Sequence, residues 1–93
     1  MRRILESSAF RRDVKREARG RHGAQLAELL SEVLQALATD QALLARYRDH
    51  ALTGNWRSCR DCHIKPDLVL IYRKPDADHL ELLRLGSQPE LRL

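Results

Sequence analysis

Ninety-three residues, 43% of them hydrophobic and 32% charged, suffice for one domain with one modest core. A chain this short buries roughly 60–70% of the surface it exposes when unfolded, which excludes a cofactor domain beside a substrate domain and sets the chain apart from disordered compositions. No apolar run approaches the ~20 residues that cross a bilayer as a helix. The net charge of +4 is uneven: residues 1–21 carry eight Arg/Lys against three acids, residues 22–50 two against four, and residues 51–93 seven against six. Most of the cations are arginine, whose planar fork grips phosphate bidentately. The bias suits an anionic partner such as nucleic acid, and equally a solvated basic face. Arg2 and Arg3 lead into no apolar segment, so a secretory signal is not expected and a cytoplasmic location is.

In chain order, Arg2–Ser7 reads as an edge strand and Ser8 as a helix N-cap. Phe10, Val14 and Ala18 recur every four residues on one face of a first helix, which Gly20 and Gly23 end. Leu26, Leu29, Leu30, Val33, Leu34 and Leu37 form a continuous apolar stripe on a second helix. Thr39 or Asp40 is placed to cap a short third turn through Leu44. From Asp49 the texture becomes that of strands: Trp56–Ile64, then Leu68–Tyr72 as a buried central strand, then Leu80–Leu85, with turns at Thr53-Gly54-Asn55, Pro66-Asp67 and Lys74-Pro75-Asp76. Short turns make these strands an antiparallel meander, and the helical hairpin must cover one face of it. The expectation is a single α+β domain over residues 1–93, with two N-terminal helices on an antiparallel sheet of about four strands.

Cys59-Arg60-Asp61-Cys62-His63 matches C-x-x-C-H, the pattern of covalent haem attachment. On a strand, however, residues 59 and 62 point to opposite faces. Thiols that point apart cannot share a haem edge or chelate a metal. One CxxC also falls short of the four ligands of a structural zinc site. Neither haem nor zinc is expected, nor any other cofactor, and Cys62 is expected in the core.

The imidazoles are more informative. His50 precedes the first C-terminal strand, and His63 lies on it, on the face shared by Arg57, Cys59 and Asp61. Asp67 follows in the turn, Arg84 lies near the end of the last strand, and Gln88 and Arg92 lie in the tail. A meander can gather these groups on the sheet face away from the helices. Cleavage of RNA by its own 2′-hydroxyl needs a base, cations at the phosphorus and an acid for the departing oxygen. Histidine serves the first and last roles and arginine the second, with no metal required. An unspecified nucleic-acid or protein-binding surface is the competing reading of the same residues, and His22 and His79 read as ordinary surface histidines.

The run Asp49-His50-Ala51-Leu52-Thr53-Gly54-Asn55-Trp56, the block Arg60-Asp61-Cys62-His63-Ile64-Lys65-Pro66-Asp67-Leu68-Val69-Leu70-Ile71-Tyr72 and the segment Leu83-Arg84-Leu85-Gly86-Ser87 resemble the YafQ-type toxins of the RelE/ParE superfamily. The stretch Ser8–Arg16 is also similar, so the resemblance runs along nearly the whole chain. It implies a RelE-like fold and an endoribonuclease that enters the A site of the small ribosomal subunit and cuts mRNA. It also implies a cognate DinJ/RelB-like antitoxin that blocks it. Carried over by position, His50, His63 and Asp67 match residues tied to catalysis, Arg84 matches a position near the phosphate, and Trp56 matches a structural position. Arg60, Asp61, Lys65, Arg73 and Arg92 are candidate RNA contacts. The chain departs from the family in its tail, Gly86-Ser87-Gln88-Pro89-Glu90-Leu91-Arg92. Gln88 stands where the family has a histidine, and Arg92 where it has a phenylalanine. Glutamine can hydrogen-bond a leaving oxygen but cannot hand it a proton at neutral pH, so the resemblance implies a weakened or inactive toxin. The alternatives are a ParE-like toxin that acts on a protein and a binding module without chemistry.

Overall fold

The computed structural model describes residues 1–93. Its elements are β1 (Arg3–Glu6), α1 (Ser8–Ala18), α2 (Leu26–Ala38), β2 (His50–Ala51), β3 (Arg60–Lys65), β4 (Leu68–Arg73), β5 (His79–Gly86) and α3 (Gln88–Leu91), with single 3-10 turns at Gly23–Gln25, Ala45–Tyr47 and Gly54–Trp56. The sheet has five strands in the order β1-β5-β4-β3-β2. The anticipated meander β3-β4-β5 is its centre, and β2 extends it antiparallel to β3. β1 lies at the other edge and runs parallel to β5, so the sheet is mixed. A parallel neighbour needs a long crossover, and here most of the chain intervenes between the two strands.

The first helix begins one residue earlier than the serine pattern suggests. Ser7, in extended conformation, accepts the Phe10 N–H and is the N-cap. Phe10 is buried against the sheet and Val14 packs beside it, while α2 contributes Leu26, Val33, Leu37 and Ala38. No third helical turn forms over 39–44. Thr39 Oγ1 donates to the Gln35 carbonyl at the end of α2, and Asp40 takes a left-handed φ of 58° that turns the chain. The turn instead forms at Ala45–Tyr47. Likewise β3 starts at Arg60 rather than Trp56, because Gly54–Trp56 is a 3-10 turn and Ser58 has a φ of 74°, outside the extended region.

Both faces of the sheet are covered. Cys62, Ile64, Leu68, Leu70, Tyr72, Leu80, Leu82 and Leu85 meet α1 and α2. On the other face Cys59, Val69, Ile71 and Leu91 form a smaller cluster with Leu52, Trp56 and Leu83. β4 is therefore buried on both sides, which is why it reads as an unbroken apolar run. The two cysteines do lie on opposite faces, and burial pushes the Cys62 thiol up to about 12.

A β-bulge in β5 decides what its end presents. Ile71 pairs with Arg84 but Tyr72 pairs with Leu82, so Leu83 is the extra residue. Strict alternation from Leu80 and Leu82 would drive Arg84 into the core. The bulge resets the alternation, so that Leu85 enters the helix-side core and Arg84 is left half-buried against Ile71 of the opposite face.

The turn between α1 and α2 leaves no room for a side chain at Gly23, where a Cβ would lie 2.1 Å from the Ala18 carbonyl oxygen. Gly23→Ala is expected to cost about 1–3 kcal/mol through overpacking against backbone, read from urea unfolding. An unchanged midpoint would show that the turn yields.

Candidate active site

Strand pairing builds the first part of the site. His50 on β2 stands directly across from Asp61 on β3. Asp61 is only 1% exposed, while the His50 side chain is half exposed. His50 Nδ1 lies 2.9 Å from the Arg48 carbonyl oxygen and 2.9 Å from Asp61 Oδ1. Both neighbours are acceptors, so Nδ1 carries a proton, and in the neutral ring the lone pair is on Nε2. The N–H points to Arg48. Asp61 Oδ1 sits off that axis, and no donor is aligned on it. Burial pushes the Asp61 carboxyl up, and the nearby His50 and His63 oppose that. Arg48 itself adopts a left-handed φ of 49°, uncommon for a residue other than glycine, and this conformation turns its carbonyl toward the imidazole.

His63 lies two residues farther along β3, on the same face, its ring centroid 6.3 Å from that of His50. Two cavities flank the pair. One, of about 730 Å³, is bounded by His50, Asp61, Trp56, Arg84 and Arg92. The other, of about 610 Å³, is bounded by His63, Lys65, Tyr47, Arg48 and Glu32. Gln88 borders both. It is the first residue of α3, a single turn fixed by Ser87 as N-cap, a reciprocal bond between Ser87 and Glu90, and Pro89 in the first turn. Leu91, 2% exposed, pins that turn into the smaller cluster.

The fold thus brings His50, His63, Asp61, Arg84, Lys65, Gln88 and Arg92 to one region. It does not bring Asp67, Arg60 or Arg73 there. The Asp67 carboxylate faces the α1–α2 turn, accepting from His22 Nε2 at 2.7 Å and Arg21 at 3.2 Å. Arg60 is paired with Asp49 at 3.3 Å, and Arg73 with Glu81. Of the two predicted aspartates the one inside the site is Asp61, which stands behind the His50 imidazole. Two contributors have weak signals in the sequence. His22 reads as a surface residue and is instead the partner of Asp67. Asp13 breaks the apolar face of α1 next to Val14, and its burial at 3% exposure is the anomaly that marks it.

The hydrogen bond from His22 holds the Asp67 carboxyl below the usual range, with Arg21 adding to the effect. A depressed carboxyl contributes stability that is present above the unfolded-state value and is lost as pH falls through the folded-state value. Asp67 is 46% exposed at its side chain, and solvent screening limits the pair to about 1 kcal/mol or less. Asp67→Asn is expected to lower the melting temperature slightly at pH 7 and not at all near pH 2. An equal deficit at both pH values would count against the ion pair.

Comparison with known proteins agrees with this architecture. The family model described as a bacterial toxin of type II toxin-antitoxin system, YafQ, matches residues 2–92. The mRNA interferase toxin YafQ of Escherichia coli (strain B / BL21-DE3) is 33% identical over 73 residues, which cover 78% of this chain and 77% of that protein. A copper-bound mutant toxin from Helicobacter pylori superposes with a TM-score of 0.85 at 36% identity, over 98% of this chain and 99% of that one. A chain of the E. coli DinJ-YafQ toxin-antitoxin complex superposes with a TM-score of 0.78 at 30% identity, over 97% and 96%. The copper is a property of the H. pylori protein; in the present chain no group of three His, Cys, Asp or Glu side chains is arranged to hold a metal ion. The match of that family model across residues 2–92 makes this chain a member of the YafQ family of type II toxin–antitoxin toxins.

Proposed function

We propose that this chain is an endoribonuclease that cuts mRNA in the A site of the small ribosomal subunit, by attack of the RNA's own 2′-hydroxyl, and that a DinJ-like antitoxin neutralises it in the cytoplasm. The observation that carries the reading is the imidazole of His50, its Nδ1 proton engaged from behind and its Nε2 free, in a cavity shared with Arg84. Nε2 takes the proton from the 2′-hydroxyl, and O2′ attacks phosphorus. Arg84 neutralises charge that builds on the phosphoryl oxygens, and the neighbouring His63 offers a ring N–H to them. The bond from phosphorus to O5′ breaks, leaving a 2′,3′-cyclic phosphate and a 5′-hydroxyl. Gln88 hydrogen-bonds the departing oxygen, which takes its proton from water. The Arg48 carbonyl keeps His50 in the productive tautomer, and the Asp61 carboxylate 2.9 Å from Nδ1 adds its negative charge behind the ring. Lys65 and Arg92, which form no ion pair within the chain, are placed for flanking phosphates. Asp67, Arg60 and Arg73 serve the fold through their own ion pairs.

The E. coli mRNA interferase and the DinJ-YafQ complex support the substrate and the antitoxin respectively. The histidine-bearing cavity favours RNA over a protein target. The test is addition of the chain to a translation extract, with mapping of mRNA ends. Cleavage within translated mRNA that leaves 5′-hydroxyl ends is the expected result. Intact mRNA from this chain and from its Gln88→His form would sink the reading.

A further inference from the structure

β1 pairs with β5 only along His79–Leu82, so Leu83–Gly86 has no strand on that side. Side chains from the N-cap, middle and last turn of α1 take the strand's place. Ser7 Oγ donates to the Leu83 carbonyl at 2.8 Å, and Arg16 donates to the Leu85 carbonyl at 2.8 Å. Asp13 accepts the Leu85 N–H at 2.9 Å. The same carboxylate takes Arg84 Nε at 2.7 Å, Arg84 Nη2 at 3.3 Å and Arg16 Nη1 at 2.9 Å. A carboxylate this buried is tolerated only when it is paired and hydrogen-bonded, and these contacts meet that need. Burial raises its pKa, yet the bonds from Arg84 and from the Leu85 amide outweigh that and hold it below the usual range.

The arrangement does more than fasten a helix to a sheet edge. Arg84 is a long side chain with many rotamers, bordering the cavity that holds His50. Asp13 occupies the guanidinium at Nε and Nη2, which leaves Nη1 free. The backbone bond from Leu85, the next residue, ties the carboxylate to the strand segment that the bulge has just reset. A fork held at two points has its remaining donor aimed in one direction.

We infer that Asp13 is the positioning residue for Arg84: it holds the guanidinium so that the free donors meet the scissile phosphate. The inference rests on the reading of Arg84 as the phosphate cation. It predicts that Asp13→Asn slows cleavage about 10²-fold, the scale expected when a catalytic group is displaced by about an ångström. Asn keeps an oxygen for the Leu85 N–H but loses the paired attraction for Arg84.

The experiment is a double-mutant cycle in the full-length Gln88→His form. Single-turnover mRNA cleavage on programmed ribosomes is measured for Asp13→Asn, Arg84→Gln and the pair, with thermal melts as a control on folding. Asp13→Asn is expected to slow cleavage in the Arg84 form and to add nothing once Arg84 is gone. Asp13→Glu, which keeps the charge, is expected to restore part of the rate and serves if Asn at this position does not fold. Losses that multiply, or a folded Asp13→Asn that cleaves at the parent rate while Arg84→Gln is slow, overturn the positioning role alone. An Arg84→Gln form as fast as the parent, or a parent with no cleavage, overturns the reading of the site and this inference with it.

Discussion

Gln88→His is expected to raise the rate of mRNA cleavage about 10²–10⁴-fold, the usual contribution of a positioned general acid. The position is prepared for that role. Gln88 opens α3 at the border of both cavities, and the helix is fixed by its capping box and by the burial of Leu91. The side chain is exposed, so an imidazole fits without repacking the core. The gain is expected in the chemical step, where an imidazolium supplies the proton that glutamine must leave to water. Rates measured side by side in one translation extract test it. A histidine form no faster than the parent would place the proton donor elsewhere.

Asp61→Asn is expected to make the protein more stable and less active. Burial raises the folded-state pKa of this carboxyl above its unfolded value. Such a group contributes stability that is fully present below the unfolded pKa and is lost as pH rises through the folded one. At pH 7 the buried carboxylate is therefore a cost, and the amide removes it. A gain of about 1 kcal/mol is expected, on the scale of one imperfectly satisfied buried polar group. The gain should shrink toward zero as pH falls below about 4, near the unperturbed aspartate pKa. The amide can also offer a donor where the carboxylate offered only an acceptor. A donor there competes with the Arg48 carbonyl for Nδ1 and favours the tautomer of His50 with its proton on Nε2, which cannot act as base. Loss of an orienting carboxylate behind a catalytic histidine costs up to about 10⁴-fold, and a loss of at least about 10²-fold is expected in the Gln88→His form. Melting curves at pH 7 and pH 4, with cleavage rates, test both halves. A destabilised variant, or a stabilised one with full activity, would refute the assignment.

Much of this was legible in the chain itself. The apolar stripe from Leu26 to Leu37 specifies a helix with one buried face, and the unbroken run Leu68–Tyr72 specifies a strand buried on both. Odd spacing suffices to separate Cys59 from Cys62, and even spacing along β3 puts Asp61 and His63 on one face. These are periodicities of neighbouring residues, set by backbone geometry that holds for any sequence. Element ends were less legible. Ser7 and Ser8 are equally good caps on paper, and Ser7 is selected by its extended backbone and its reach to Leu83 across the sheet edge. The start of β3 depends on the left-handed residue Ser58, which no periodicity announces.

The site shows the same division. Residue chemistry and spacing were enough to single out His50 and His63 as candidates and to set the thiols aside, while their tie to catalysis came from the family resemblance. Tertiary structure alone decided which carboxylate stands with them. Asp61 is brought behind His50 by the register of β2 on β3, while Asp67 is drawn to His22 and Arg21 on a turn about 45 residues away in sequence. It also decided the direction of Arg84, through one extra residue in β5 and a carboxylate 71 positions earlier. Local pattern controls which face a side chain takes, because that follows from a residue's own φ and ψ. Long-range pairing and bulges control which groups meet, because they depend on how distant segments compete for the same hydrogen bonds and the same buried space.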